Sequence, residues 1–133
     1  MPHEKLHPIV LLARDLVRLP TAIDHASGKL AAIKRIEKEF SDLDVRIDTL
    51  TDKKEVVGLV ITPQGHFNGY YCLAACGDTA PVGDLKAWDS VDPFSGLIEN
   101  EWLYGRGSAD SKLGLAIYIS VFKKLVSGEK FGE

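Results

Sequence analysis

Apolar positions change their spacing along the chain, and each change marks an element. Over residues 5–18, Ile9, Leu12 and Leu16 recur at three and four, with Arg14, Asp15 and Arg18 between them. That spacing predicts a helix, and Pro20 ends it. A second helix fits Ser27 to Phe40: Ser27 is a suitable cap, Leu30, Ile33 and Ile36 share a face, and Lys34, Lys38 and Glu39 face water. The period then drops to two. Val45, Ile47 and Thr49 alternate with charged neighbours, as on a half-exposed strand. Val56 to Thr62 is a β-branched run, and Gly65 to Gly69 reads as a turn. Tyr70 to Cys76 is apolar on both faces, which predicts a strand buried in the middle of a sheet.

An irregular stretch follows from Gly77 to about Asn100, with Pro81, Gly83, Pro93 and Gly96. Loops of this length in compact domains are functional or disordered, and its aromatic content argues against disorder. Trp88, Phe94 and Trp102 are expected to pack this stretch onto the sheet. Residues 101–104 fit a short edge strand, and Gly105 to Ser108 a turn. Ser111 to Val126 is the strongest helix, apolar on most sides and therefore expected to be largely buried. Ser127 to Glu133 is polar.

Helices, strands, a long loop and a helix in that order predict a layered α/β sheet without a domain boundary. A buried strand followed by a helix calls for a further parallel strand. The open edge left by its absence would be covered by another element or by a second copy, which makes a homo-oligomer an expectation.

Composition narrows the function classes. The 133 residues are 45% apolar and 26% charged, an ordinary folded mixture. Sixteen Lys and Arg against nineteen Asp and Glu leave a net charge of −3. Without a basic stripe, nucleic acid is not an expected partner. No run approaches the roughly 20 apolar residues of a membrane span, and the N-terminus lacks a signal pattern. A cytoplasmic location is the default expectation.

The candidate chemistry lies after the apolar strand, at Cys76-Gly77-Asp78-Thr79, where α/β sheets place ligands. A second candidate is Asp110, where an acid suits the start of the last helix as a cap or as a site residue. Cys72 and Cys76 lie four residues apart, roughly 13 Å along a strand at about 3.3 Å per residue. That excludes a disulfide, which needs Cα atoms within about 7 Å, and leaves Cys72 as a small buried hydrophobe. His3, His7, His25 and His66 show no ligand spacing and read as surface or capping residues. Asp84, Asp89 and Asp92 read as turn formers. Arg106 and Lys112 are expected to pair with nearby acids. Gly105-Arg106-Gly107 lacks the ending of a phosphate loop.

Cys76-Gly-Asp-Thr-Ala-Pro-Val-Gly-Asp84, Trp88, Asp92-Pro-Phe-Ser-Gly96 and Leu103-Tyr-Gly-Arg-Gly-Ser-Ala-Asp-Ser-Lys112, in this order and spacing, resemble the M20 metallopeptidase family. That family includes acetylornithine deacetylases, succinyl-diaminopimelate desuccinylases and glutamate carboxypeptidases. The resemblance is dense over residues 74–114, and the flanking elements follow the family order from about residue 5 to 128.

The resemblance implies the N-terminal part of a layered α/β/α zinc-peptidase domain over residues 1–133, without the lid that usually carries the dimer contact. It implies a two-zinc hydrolase of terminal amide bonds in peptides or N-acyl amino acids. By this resemblance, Asp78 falls on the family's carboxylate that orients the zinc-binding His, and Asp110 on the carboxylate that bridges both zincs. Cys76 stands where the family has a His ligand. A thiolate binds zinc well, but it leaves Asp78 no imidazole N–H to orient. Leu113 stands where the family commonly has Gly. The family's general-base Glu, its neighbouring Glu ligand, a further carboxylate ligand and a distal His lie beyond these residues, so the isolated chain is expected to be inactive. Two other function classes remain: a degenerate, non-catalytic binding domain, and a redox role for Cys76. The neighbouring negative charge of Asp78 disfavours the redox role.

Overall fold

The computed structural model describes residues 6–23, 25–65, 71–89 and 91–128. Three helices, Pro8–Val17 (α1), Ala26–Lys38 (α2) and Leu113–Ser127 (α3), combine with two antiparallel hairpins. The first pairs Val45–Asp52 (β1) with Glu55–Pro63 (β2), and the second pairs Leu97–Glu99 (β3) with Trp102–Tyr104 (β4). The architecture is mixed α/β, built among the described residues from two-stranded sheets.

Pro8 opens α1, at a position where a missing N–H costs nothing. His7 caps it, its Nδ1 accepting from the Ile9 N–H at 3.2 Å. The apolar stripe buries Leu12, Ala13, Leu16 and Val17. Helix α2 begins one residue earlier than its sequence predicts: Ser27 lies exposed inside the first turn and His25 takes the cap position. Its first turn approaches the connector from α1 so closely that a Cβ on Gly28 would sit 1.6 Å from the Pro20 carbonyl oxygen.

In β1 the expected alternation holds at Val45 and Ile47, half-buried between exposed Arg46 and Asp48, but stops at Thr49, which is exposed. Val45 faces Pro63 and Ile47 faces Ile61 across the ladder. The chain reverses through Lys53 and Lys54 with φ of 47° and 72°. Two successive left-handed residues match the right-handed twist of the strands they join.

The core gathers Leu12, Ala13 and Leu16 of α1, Phe40, and Ala116 and Ile119 of α3, with Val45, Ile47 and Ile61 of the hairpin against it. Phe40 and Phe122 meet edge to face at 5.9 Å. An ion cluster borders this core. Arg35 reaches Glu39 at 2.6 Å and Asp15 at 3.2 Å, and Lys123 reaches Glu39 from α3. Burial pushes the Glu39 carboxyl up, but hydrogen bonds from Lys123 and Arg35 outweigh it and hold the group below its ordinary value.

Two elements differ from the sequence expectation. Residues 71–76 of the expected central strand pair with no neighbour among the described residues and are exposed, and Tyr70 lies outside the described residues. An apolar run becomes a strand only where another backbone offers its hydrogen bonds, and neither hairpin lends it an edge. For the same reason Cys72, expected inside, is exposed. Helix α3 buries Ala116 and Ile119 against α1, but Leu113, Ile117, Tyr118 and Leu125 stay exposed on its other sides. The turn expected at Gly65–Gly69 falls outside the described residues except for Gly65. The polar end, Ser127–Glu133, is described only through Gly128, with Ser127 closing α3. Among the described residues, no helix is long and apolar enough to cross a membrane.

Candidate functional site

The long loop is held by α1. Arg18 Nε donates to the Ser95 carbonyl at 3.0 Å, and a Cβ on Gly105 would meet Val17 Cγ1 at 2.3 Å. Asp84 and Asp92 act as turn formers, accepting from the Lys86 N–H at 3.0 Å and the Phe94 N–H at 2.8 Å. Asp89 sits in the left-handed region at φ 45°. Phe94 packs edge-on against His25 at 6.1 Å rather than on a sheet. Trp88 is half-buried and donates to the Val82 carbonyl, whereas Trp102 is exposed. His3 and His66 lie outside the described residues.

Among the described residues, Arg106 and Lys112 do not pair with acids. Arg106 stacks over Trp88 with its guanidinium carbon 5.0 Å from the ring centroid, and it donates to the Val82 carbonyl. Lys112 is 1% exposed, and its Nζ donates to the Leu19 carbonyl at 2.7 Å. Burial lowers its pKa to about 8. Each cation turns to backbone oxygen because its segment packs beside helix α1 and the loop, where carbonyls face it.

The backbone between β4 and α3 is irregular. Gly107 has φ 85°, a conformation that favours glycine. A Cβ there would lie 2.7 Å from Thr79 Cγ2. Ser108–Lys112 forms a kinked turn, with Asp110 at φ −121°, ψ 100° and a cis Asp110–Ser111 peptide bond. Helix α3 starts only at Leu113, and Lys112 takes the cap position without a side-chain cap bond. Asp110 is therefore not the helix cap, which removes one of its two readings from the sequence.

The structure brings the two candidate segments together. Ser111 Oγ donates to the Cys76 carbonyl at 2.8 Å, so the residue after Asp110 touches the residue two before Asp78. Cys76, Asp78 and Asp110 are all exposed. Among the described residues, neither Asp78 nor Asp110 makes a side-chain hydrogen bond or ion pair. A thiol and two carboxylates are suitable zinc donors. Yet among the described residues no three His, Cys, Asp or Glu side chains converge to hold a metal. The donors present do not form a closed metal site by themselves.

Sequence reasoning missed Thr21 and Leu19. Thr21 is 2% exposed, donates through Oγ1 to the Gly77 carbonyl at 2.8 Å and accepts from the Thr79 N–H at 3.4 Å. A threonine one residue past a helix-ending proline carries no signal of that contact.

This helix-anchored loop, with carboxylates on two tied segments, is also where the chain is similar to known proteins. The profile of peptidase family M20/M25/M40 matches residues 72–130, the stretch that holds both segments. Over this stretch the chain is similar to that family. It is 34% identical over 111 residues to a succinyl-diaminopimelate desuccinylase of Rhodospirillum centenum, covering 84% of this chain and 28% of the relative. It is 35% identical over 116 residues to the enzyme of that name from Cereibacter sphaeroides, covering 86% and 29%. A third, from Ehrlichia chaffeensis, is 32% identical over 120 residues, covering 87% and 30%. The chain thus spans under a third of the length of the curated relatives it matches.

Proposed function

We propose that residues 1–133 are the N-terminal part of a layered α/β/α catalytic domain of a metal-dependent hydrolase that cleaves terminal amide bonds in peptides or N-acyl amino acids. N-succinyl amides are the first substrates to try, because the relatives described above are named for removing succinyl groups. The observation that carries the reading is the family match over residues 72–130, centred on the tied segments of Asp78 and Asp110. Zinc is the proposed metal, and Cys76, Asp78 and Asp110 are the groups this chain would contribute near it. Because three donors do not converge among the described residues, a complete metal site needs donors beyond these three. On its own the chain is proposed to be inactive.

The test is a zinc titration of the purified 133-residue chain followed by two-dimensional NMR, with hydrolysis of N-succinyl-diaminopimelate and N-acetyl amino acids assayed in parallel. The expected result is zinc-dependent shifts at Cys76, Asp78 and Asp110 and no turnover. Turnover by the isolated chain would overturn the incomplete-site reading, and an absence of shifts at those three residues would overturn the metal assignment. The second outcome favours the other reading, a binding domain without catalysis, which the cysteine at position 76 supports.

A further inference from the structure

The connector between α1 and α2 touches both site segments. Thr21 bonds the first twice, through Oγ1 to the Gly77 carbonyl at 2.8 Å and through its own carbonyl to the Thr79 N–H at 3.4 Å. Two residues earlier, the Leu19 carbonyl accepts from Lys112 Nζ at 2.7 Å, which ties down the second segment. Thr21 and Lys112 are the buried polar side chains among the described residues, at 2% and 1% exposure. A hydroxyl or an ammonium taken out of water must find a partner. Here each finds a backbone carbonyl belonging to a different element. The Ser111 bond to the Cys76 carbonyl closes the triangle, and Lys112 N–H to the Gly107 carbonyl at 2.8 Å stiffens its second side.

Resting on the reading of Asp78 and Asp110 as site carboxylates, we infer that Thr21 and Lys112 are positioning residues. The connector at residues 19–22 is the common frame that fixes the spacing between the two carboxylate-bearing segments. The frame takes the place of a strand ladder, which residues 71–76 lack. Neither side chain is a donor to a reacting atom. Both act through the backbone of the segments they hold.

The test uses amide hydrogen exchange of the full 133-residue chain by NMR, with Thr21→Val, Thr21→Ser and Lys112→Met. Valine keeps the shape of threonine and loses the donor, whereas serine keeps the donor. Thr21→Val should speed exchange at the Thr79 amide about tenfold, the effect of losing one hydrogen bond that closes a local unit. Amides of Leu16 and Ile119 in the helical core should change by less than about twofold. Thr21→Ser should restore the Thr79 rate. Lys112→Met should speed exchange at the residue-112 amide, and it reads the same frame if Thr21→Val fails to fold. An unchanged Thr79 amide, a failed serine rescue, or an equal rise at the core amides would each overturn the inference. Zinc shifts at Asp78 and Asp110 are recorded separately. Their absence from the wild-type chain, with the exchange pattern intact, removes the metal reading and leaves the frame standing.

Discussion

The helical core and the loop-built segment from 71 to 112 hold themselves together by different means. In the core, α1, α3 and the β1–β2 hairpin bury side chains against each other: Leu12, Leu16, Phe40 and Ile119 are each at most 5% exposed. In the loop segment, side chains mostly bond backbone: Arg18 to Ser95, Trp88 and Arg106 to Val82, Ser111 to Cys76. Apolar packing is not directional and tolerates many sequences. Hydrogen bonds to named carbonyls are directional and fix position. The carboxylates of interest sit in the second region, exposed and without partners among the described residues. Stability is thus concentrated in one region, and groups free for chemistry in the other.

The sharpest way to break this contrast is to truncate the core. Leu16→Ala removes a side chain that is 1% exposed and should cost about 2–5 kcal/mol, measured by urea denaturation. A loss comparable to that of an exposed leucine would dissolve the distinction between the regions.

A smaller effect is expected from acid. The carboxyl of Glu39 is held below its ordinary value by Lys123 and Arg35. Its contribution is therefore complete above the unfolded-state pKa and is lost as pH falls through the lower folded-state value. Thermal melts from neutral pH downward should show stability falling in that acid range, and Glu39→Gln should flatten that part of the profile. An unchanged slope in the variant would mean that the ion cluster bordering the core is only a surface feature.

The smallest effect belongs to the site. Asp78→Asn and Asp110→Asn replace exposed carboxylates without partners and should move stability by no more than about 0.5 kcal/mol, while abolishing the zinc response. A large destabilisation from either would show that the carboxylates serve the fold.

The same contrast explains what could be read from the chain alone. The α1 stripe and the β1 alternation were legible because burial there follows the local period, at Leu12 and Leu16 and at Val45 and Ile47. Residues 71–76 were read as a buried strand because apolar composition says nothing of whether a neighbouring strand is at hand. Strand β3 is three residues long inside a loop rich in turn formers, too short for any period to register. The motif residues Asp78 and Asp110 were visible as a pattern, and Asp110 could be told from a helix cap only once α3 was seen to start at Leu113. Thr21 and Lys112 stayed hidden as a frame, since their contacts span 56 and 93 positions and link side chain to backbone.

The outer side of α3 has a thermodynamic consequence. Leu113, Ile117, Tyr118 and Leu125 are 37%, 40%, 41% and 58% exposed in the folded chain. Surface already wet before unfolding adds little to the heat-capacity increase that accompanies unfolding. The increment per residue should lie below the usual ~12–15 cal/mol/K, and the denaturant slope should be shallow for 133 residues. A broad stability curve, changing little across ordinary temperatures, is the expected outcome of a calorimetric scan.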